Sequence, residues 1–278
     1  MAAGSGTPGG VPGLSGLPPA RRVGTNFQPL YSVHAAALAG FEALACPVGA
    51  MGEAVGPAQF LALRAEGDVA RIDRAWRRAH LARFASLDEG RGTLHLNVHP
   101  TALGADAAAE LREDIAVHGL APSRVCIEIL GGDTGDEDLL AHGAAACRAI
   151  GVRVAIDGFG VARSNVDRLA RILPDLAKIS RPALEAVAGR DEARRILPSL
   201  ARLLHEAGSE VAVSGIEDAS AAICALEAGA DLVQGAYFGI PRAGLTPDPI
   251  AIEILCRMKR LRGSASATEA PDPPDPEA

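Results

Sequence analysis

Val152-Arg153-Val154-Ala155-Ile156-Asp157-Gly158-Phe159-Gly160 is the stretch on which the fold of this chain turns. Its first five residues are almost wholly apolar, which predicts a strand over Val152–Ile156 buried in a parallel sheet. The strand closes on one carboxylate, Asp157, and then on Gly158 and Gly160. A carboxylate at the C-terminal tip of a buried strand, followed by residues without side chains, is where α/β proteins place chemistry. Asp-Gly is also ordinary turn punctuation. What the other strands carry at their tips decides between the two readings.

Outward from this stretch the chain alternates. Strands are predicted at Thr93–Val98, Arg124–Leu130, Leu176–Ile179, Glu210–Val213 and Leu232–Val233. Helices are predicted between and after them at Ala105–Val117, Glu137–Ile150, Asn165–Arg171, Asp191–Ala207, Ala219–Ala228 and Pro249–Arg260. Alternating strands and helices imply parallel βαβ units. Upstream, helices are predicted at Pro57–Ala65 and Val69–Phe84. Before them Asn26–Val33 and Ala37–Leu44 read as two strands joined by a short turn, so one runs against the other. About eight strands in a chain of this size favour a closed barrel. The expected fold is therefore α/β: a modified TIM (β/α)8 barrel with one antiparallel strand, over residues 24–262. Residues 1–22, rich in Gly, Pro, Ala and Ser, are expected to be a disordered leader, and 263–278 a disordered acidic tail.

Composition sets the class. The 278 residues are 48% hydrophobic and 22% charged, with a formal net charge of -7, as expected of a soluble globular protein. Aromatics make up only 3%, so the core must be Leu, Val, Ile and Ala. The acidic balance argues against DNA, whose backbone needs a basic face. No uncharged apolar run reaches the length of a membrane span, and no signal peptide is evident. The five cysteines (Cys46, Cys126, Cys147, Cys224, Cys256) are scattered, which fits a reducing compartment. A cytoplasmic protein is expected.

The strand tips carry Glu42, Asn97, Glu128, Asp157, Lys178, Ser214 with Glu217 just beyond, and Gln234. Each alone has a plain structural explanation. Glu42 suits a solvated turn, and Asn97 a loop cap before Pro100. Glu128 lies between Ile127 and Ile129, where an acid is costly unless paired or bound to metal, and Lys178 in Leu176-Ala177-Lys178-Ile179 is a ready partner for it. In a barrel all these tips converge on one mouth. Three carboxylates, an amide and a lysine gathered there make a site for a hard cation beside a phosphate-binding charge.

These residues are identifiable together. Phe41-Glu42-Ala43-Leu44 resembles the signature of the EAL domain family, the cyclic di-GMP phosphodiesterases and their degenerate relatives. Phe27-Gln28-Pro29 resembles the family's Q-P strand, Leu96-Asn97-Val98 its N-V strand and Ile127-Glu128-Ile129 its E-I strand. Asp157-Gly158-Phe159-Gly160 resembles D-D-F-G, and Leu176-Ala177-Lys178-Ile179 resembles L-K-I-D. Gly215-Ile216-Glu217 resembles G-V-E, and Gln234-Gly235-Ala236-Tyr237-Phe238-Gly239 resembles Q-G-Y-x-F-G. The match runs over about residues 24–260, with every motif in order.

The resemblance implies a modified TIM barrel in which active members use two divalent cations to drive water onto a phosphodiester of cyclic di-GMP. It implies a first-cation set at Glu42, Asn97, Glu128 and Asp157, a lysine near the attacking water at Lys178, and a supporting glutamate at Glu217. It places ligand contacts at Gln28, Leu44 and Gln234. It also marks departures. Gly158 stands where a second-cation aspartate is usual, and Ser214 where a glutamate tied to that cation and to base catalysis is usual. Gly131 replaces a loop-fixing glutamate, and Cys46 a phosphate-binding arginine. Arg163, in the loop after Asp157, is a candidate substitute for that arginine. The expectation is a stand-alone, catalytically inactive member holding one Mg2+ or Mn2+ at most. It would act as a cyclic di-GMP receptor or as an interaction module with an unknown protein partner, with a homodimer as one route of regulation. The alternative is a weak phosphodiesterase that releases linear pGpG.

Overall fold

The structure, a computed structural model, describes residues 23–47, 55–62, 66–131, 136–160, 165–183 and 196–268. Eight strands close a barrel in sequence order: β1 (Gly24–Ser32), β2 (Ala37–Cys46), β3 (Thr93–Val98), β4 (Val125–Ile129), β5 (Arg153–Phe159), β6 (Leu176–Ile179), β7 (Glu210–Val213) and β8 (Leu232–Val233). β1 runs antiparallel to both its neighbours, β2 and β8. Every other neighbouring pair is parallel. This is the expected modified barrel with one reversed strand. The β1–β8 seam is short, pairing only Tyr31 with Val233 and Ser32 with Leu232. A backbone bridge between Phe27 and Arg242, with N–H···O distances of 2.7 and 3.0 Å, reinforces that side.

The described helices are α1 (Pro57–Ala62), α2 (Glu66–Leu87), α3 (Ala107–Val117), α4 (Glu137–Ala149), α5 (Asn165–Ile172), α6 (Ile196–Glu206), α7 (Ala219–Glu227) and α8 (Pro249–Thr268). Aspartates start two of them. Asp136 accepts from Leu139 N–H and Asp218 from Ala221 N–H, each at 2.8 Å, satisfying an otherwise orphan donor of the first turn. None of the described helices is long and apolar enough to cross a membrane.

Alternation along the strands divides the core in two. Leu94, Leu96 and Val98 of β3, Ile127 and Ile129 of β4, and Val154 and Ile156 of β5 belong to the main core, under the helices. The opposite faces of the strands meet inside the barrel. There a separate small cluster of Leu30, Cys126, Ala155, Leu176, Ala212 and Leu232 fills the floor. Above that floor the inward positions become polar.

Three expectations change. The strand predicted to stop at Ile156 continues through Phe159, so Asp157 and Gly158 lie within β5. The β5–β6 register shifts between Ile156 and Phe159, as in a bulge. Gly158 makes this conformation accessible, with φ +75. The last helix runs to Thr268, past the expected start of the tail at Gly263. The chain there is Ala- and Ser-rich and continues the helix register without a Gly-Pro stop. α2 likewise begins at Glu66, earlier than Val69, and ends at Leu87. The leader, the rest of the tail and the first residues of the helix predicted from Asp191 lie outside the described residues.

Candidate functional site

Seven inward-facing side chains from β1, β2, β3, β4, β6 and the end of β8 form one connected polar layer at the mouth, with Lys178 of β6 at its centre. Its ammonium donates to Glu42 Oε2 of β2 at 2.8 Å and to Glu128 Oε2 of β4 at 2.5 Å. Asn97 of β3 donates its amide to Glu42 Oε1 at 2.6 Å. Gln234, just past β8, donates to Glu42 Oε2 at 2.8 Å and lies 3.4 Å from Gln28 Oε1 of β1. Gln28 in turn donates to the Gly239 carbonyl at 3.1 Å. His95 of β3 completes the layer from below, with Nδ1 2.8 Å from Glu128 Oε1. The ion pair of Lys178 with Glu128, one of the two readings open from sequence, is present. It is joined by a second one, to Glu42.

Burial sets the electrostatics. The Glu128 side chain is 0% exposed and that of Lys178 2%. Burial alone would push the Glu128 carboxyl up. The charge of Lys178 and the hydrogen bond to His95 overcome it and hold Glu128 below the usual carboxylate range. Burial would likewise lower Lys178, but Glu128, Glu42 and Asp157 together keep it well above its ordinary value. Asp157 behaves differently. Burial raises it to about 6, and the charges of Glu128 and Glu42 add to burial against the opposing pull of Lys178. Among the described residues its Oδ1 accepts the N–H of the next residue, Gly158, at 2.8 Å.

The remaining expected site residues lie elsewhere. Ser214 turns its hydroxyl 3.4 Å from the Ile179 carbonyl. Glu217 is exposed and paired with Arg181 on the neighbouring connection, outside the Lys178 layer. Leu44 is half-buried near the end of β2, where the Cys46 thiol lies 3.7 Å from its carbonyl. Gly158 leaves open space, since a Cβ there meets nothing within 4 Å. Arg163 lies outside the described residues. Sequence reasoning missed His95. The signal was available, because His95 lies two positions before Asn97 on the same strand face.

Glu42, Glu128, Asp157 and the Asn97 amide oxygen are the hard oxygen donors that Mg2+ or Mn2+ prefers. One lysine against three carboxyl groups also leaves the mouth short of positive charge. The donor set therefore fits such a cation in kind. In the present arrangement Lys178 holds the oxygens an ion would need. No three His, Cys, Asp or Glu side chains among the described residues are grouped to enclose one.

The molecule is thus a closed α/β barrel with one reversed strand, with carboxylates, amides and a lysine converging on its mouth. The model of the EAL domain matches residues 17–241, and the chain belongs to that family. Cyclic di-GMP phosphodiesterase RocR of Pseudomonas aeruginosa is 28% identical over 155 residues, covering 53% of this chain and 38% of RocR. Among solved structures, BlrP1 of Klebsiella pneumoniae, in complex with calcium and cyclic di-GMP, superposes with a TM-score of 0.72 at 25% identity, over 82% of this chain and 58% of that one. The EAL-domain protein YkuI of Bacillus subtilis, in complex with cyclic di-GMP and calcium, superposes at 0.77, over 89% and 62%, and at 24% identity attests the fold alone. The chain spans about a third of the length of the curated relatives it matches.

Proposed function

We propose that this chain is a degenerate, catalytically silent EAL domain. It receives cyclic di-GMP at the barrel mouth and passes the bound state to a protein partner. The observation that carries this reading is the uneven mouth. On the β2–β4 side, Glu42, Asn97 and Glu128 are gathered around Lys178. On the other side Asp157 stands beside Gly158, which has no side chain, and Ser214 faces a backbone carbonyl. Cleavage by two cations needs charged ligands on both sides, since together the ions activate the water and neutralise the attacking and leaving oxygens. Losing a general base alone costs about 10²–10⁴ in rate.

Retention of the polar layer supports binding. A buried ion cluster is weak evidence for stability, because apolar residues of similar volume do as well or better. Its presence inside an otherwise apolar barrel is the kind of local conflict that marks functional positions. In this reading Glu42, Asn97, Glu128 and Asp157 hold at most one Mg2+ or Mn2+. When bound, the ion would supply positive charge opposite a ligand phosphate. Gln28, Leu44 and Gln234 line the ligand's entry, with Arg163 a candidate phosphate contact, and Glu217 supports the rim from its pair with Arg181.

Two other readings follow the same residues. Retained Asp157 and Lys178 favour a weak phosphodiesterase producing linear pGpG. The self-satisfied Glu42–Lys178–Glu128 cluster favours a partner-binding module without nucleotide. Isothermal titration with cyclic di-GMP, in Mg2+ and again in EDTA, separates all three when the nucleotide is recovered for chromatography. Binding with intact nucleotide is the expected result. Conversion to linear product supports the weak enzyme, and absence of heat supports the partner-binding module.

A further inference from the structure

His95 has no part in the function just proposed, yet it is among the most enclosed polar groups of the barrel. Its side chain is 1% exposed. Thr93, His95 and Asn97 alternate inward along β3, so His95 sits one step below Asn97 and beneath Glu128. Its two ring nitrogens are both engaged. Nδ1 lies 2.8 Å from Glu128 Oε1, and Nε2 lies 2.9 Å from Thr93 Oγ1. The same hydroxyl has a longer contact of 3.4 Å to the Ala39 carbonyl. Space for it comes from Gly40, where a Cβ would fall 2.4 Å from Thr93 Oγ1.

The carboxylate decides the role of Nδ1. An ionised carboxylate only accepts, so Nδ1 carries the proton and donates to Glu128. Nε2 faces the Thr93 hydroxyl, which also points to the Ala39 carbonyl. The ring is thus held from both sides in one orientation. Glu128 is divided in consequence: Oε1 is committed to His95, and Oε2 faces Lys178 at 2.5 Å.

We infer that His95 is a positioning residue, which pins Glu128 by Oε1 so that Oε2 alone is presented at the mouth, to Lys178 or to a divalent cation in exchange for it. The cation half of this inference rests on Glu128 being a cation ligand, as proposed above. Groups that orient a ligating side chain in this way are commonly worth about 10–100-fold in metal affinity.

Two variants of similar size separate positioning from mere filling of space. Asparagine places an amide N–H near the position of Nδ1, whereas glutamine reaches the position of Nε2. The probe is Mn2+ alone, titrated into the full chain after EDTA treatment and read by the electron paramagnetic resonance of the free ion. His95→Gln is expected to weaken Mn2+ binding by about 10–100-fold, with His95→Asn close to wild type. Equal affinities for wild type and His95→Gln would overturn the inference. Should wild type take up no Mn2+, the cation reading of Glu128 fails by itself. The positioning of Glu128 is then read from the Lys178 ammonium resonance in 15N spectra. That resonance should be sharp in wild type and in His95→Asn, and broadened or lost in His95→Gln; no change overturns the inference. Ring 15N shifts of wild-type His95 should report a protonated Nδ1, and an unprotonated Nδ1 also overturns it. If His95→Gln does not fold, Thr93→Val removes the hydroxyl behind the ring. It should loosen Mn2+ binding or broaden the Lys178 signal, and no effect on either counts against the inference.

Discussion

Lys178 Nζ and Glu128 Oε2 are 2.5 Å apart although their strands, β6 and β4, are separated in the barrel wall by β5. On the intervening strand Glu128 pairs with Ala155, a small residue of the floor cluster. Glu42 meets the same ammonium from β2. One cation therefore holds strands from three places around the wall.

Lys178→Met should show what that cation does. It leaves Glu42 and Glu128 buried without a counter-charge, a change expected to destabilise by about 3–5 kcal/mol. Because both glutamates would then be open to a divalent ion, Mn2+ should raise the Tm of this variant more than that of wild type. Thermal melts with and without Mn2+ test both statements. A Tm close to wild type in EDTA would contradict the pairing.

Placing carboxylates at Gly158 and Ser214 is the complementary change. Gly158→Asp has room for its Cβ, since nothing lies within 4 Å. Its φ of +75 makes it strained, at about 1–2 kcal/mol. Asp tolerates that region better than most residues. Gly158→Asp with Ser214→Glu is expected to raise cyclic di-GMP hydrolysis by at least about 10²-fold over wild type, measured as linear product by chromatography. An unchanged rate in a folded double variant would count against the proposed role of Gly158 and Ser214.

Stability should depend on pH through Asp157. Its folded-state pKa, near 6, is above the unfolded value of about 3.9. Below about pH 4 both states are protonated and the contribution is fully present; between about pH 4 and 6 the native state binds the extra proton, so stability falls as pH rises through that window. Glu128 acts in the opposite sense. Its depressed pKa contributes stability that is lost as pH falls below the usual carboxylate range. Urea denaturation of wild type and Asp157→Asn in EDTA, from pH 4 to 7, isolates the first effect as a difference. The two curves should converge at low pH and separate above it, with the variant the more stable. Parallel curves would refute the assignment.

Arg168 of α5 is 0% exposed and grips Glu137 at the start of α4 with two N–H groups, at 2.5 and 3.1 Å. It also reaches the Leu130 carbonyl at the end of β4, 3.5 Å away. Arg168→Lys keeps the charge but loses the planar fork. It should cost about 1.5–3 kcal/mol, the range of a charged hydrogen bond. Equilibrium unfolding in urea gives the value. A cost near zero would mean the fork geometry is unimportant.

Most of the barrel could be read from the chain because each strand after β1 is a short, largely apolar run with a helix after it. The tips at Glu42, Asn97, Glu128, Asp157, Lys178 and Gln234 were legible because a polar residue inside such a run has no other cheap place. The β5 bulge was not, because Asp157-Gly158 has the same spelling whether the strand ends or kinks. The double pairing of Lys178 was only half visible: sequence offered Glu128 as a partner, whereas Glu42 comes from 136 positions away. His95 was overlooked because a histidine among leucines carries no motif, and only the strand's alternation places it under Glu128. Glu217 was placed with the site by motif, yet it bonds to an exposed arginine. Adjacency in a motif does not specify which way a side chain turns.

The seam between β1 and β8 has a kinetic consequence. Tyr31 and Val233 must find each other across most of the chain, and two ladder pairs with the Phe27–Arg242 bridge reward the search. Contacts of such long sequence separation form late, after the loop entropy has been overcome. The wall from β2 to β8 should therefore assemble as a progressive parallel sheet, with closure as the last step of folding. Because β8 is held by only two ladder pairs on each side, the finished barrel should open early there. Amide exchange should be fastest along β8 and the Tyr31 end of β1, and it should slow when a ligand at Gln28 and Gln234 ties the two edges together.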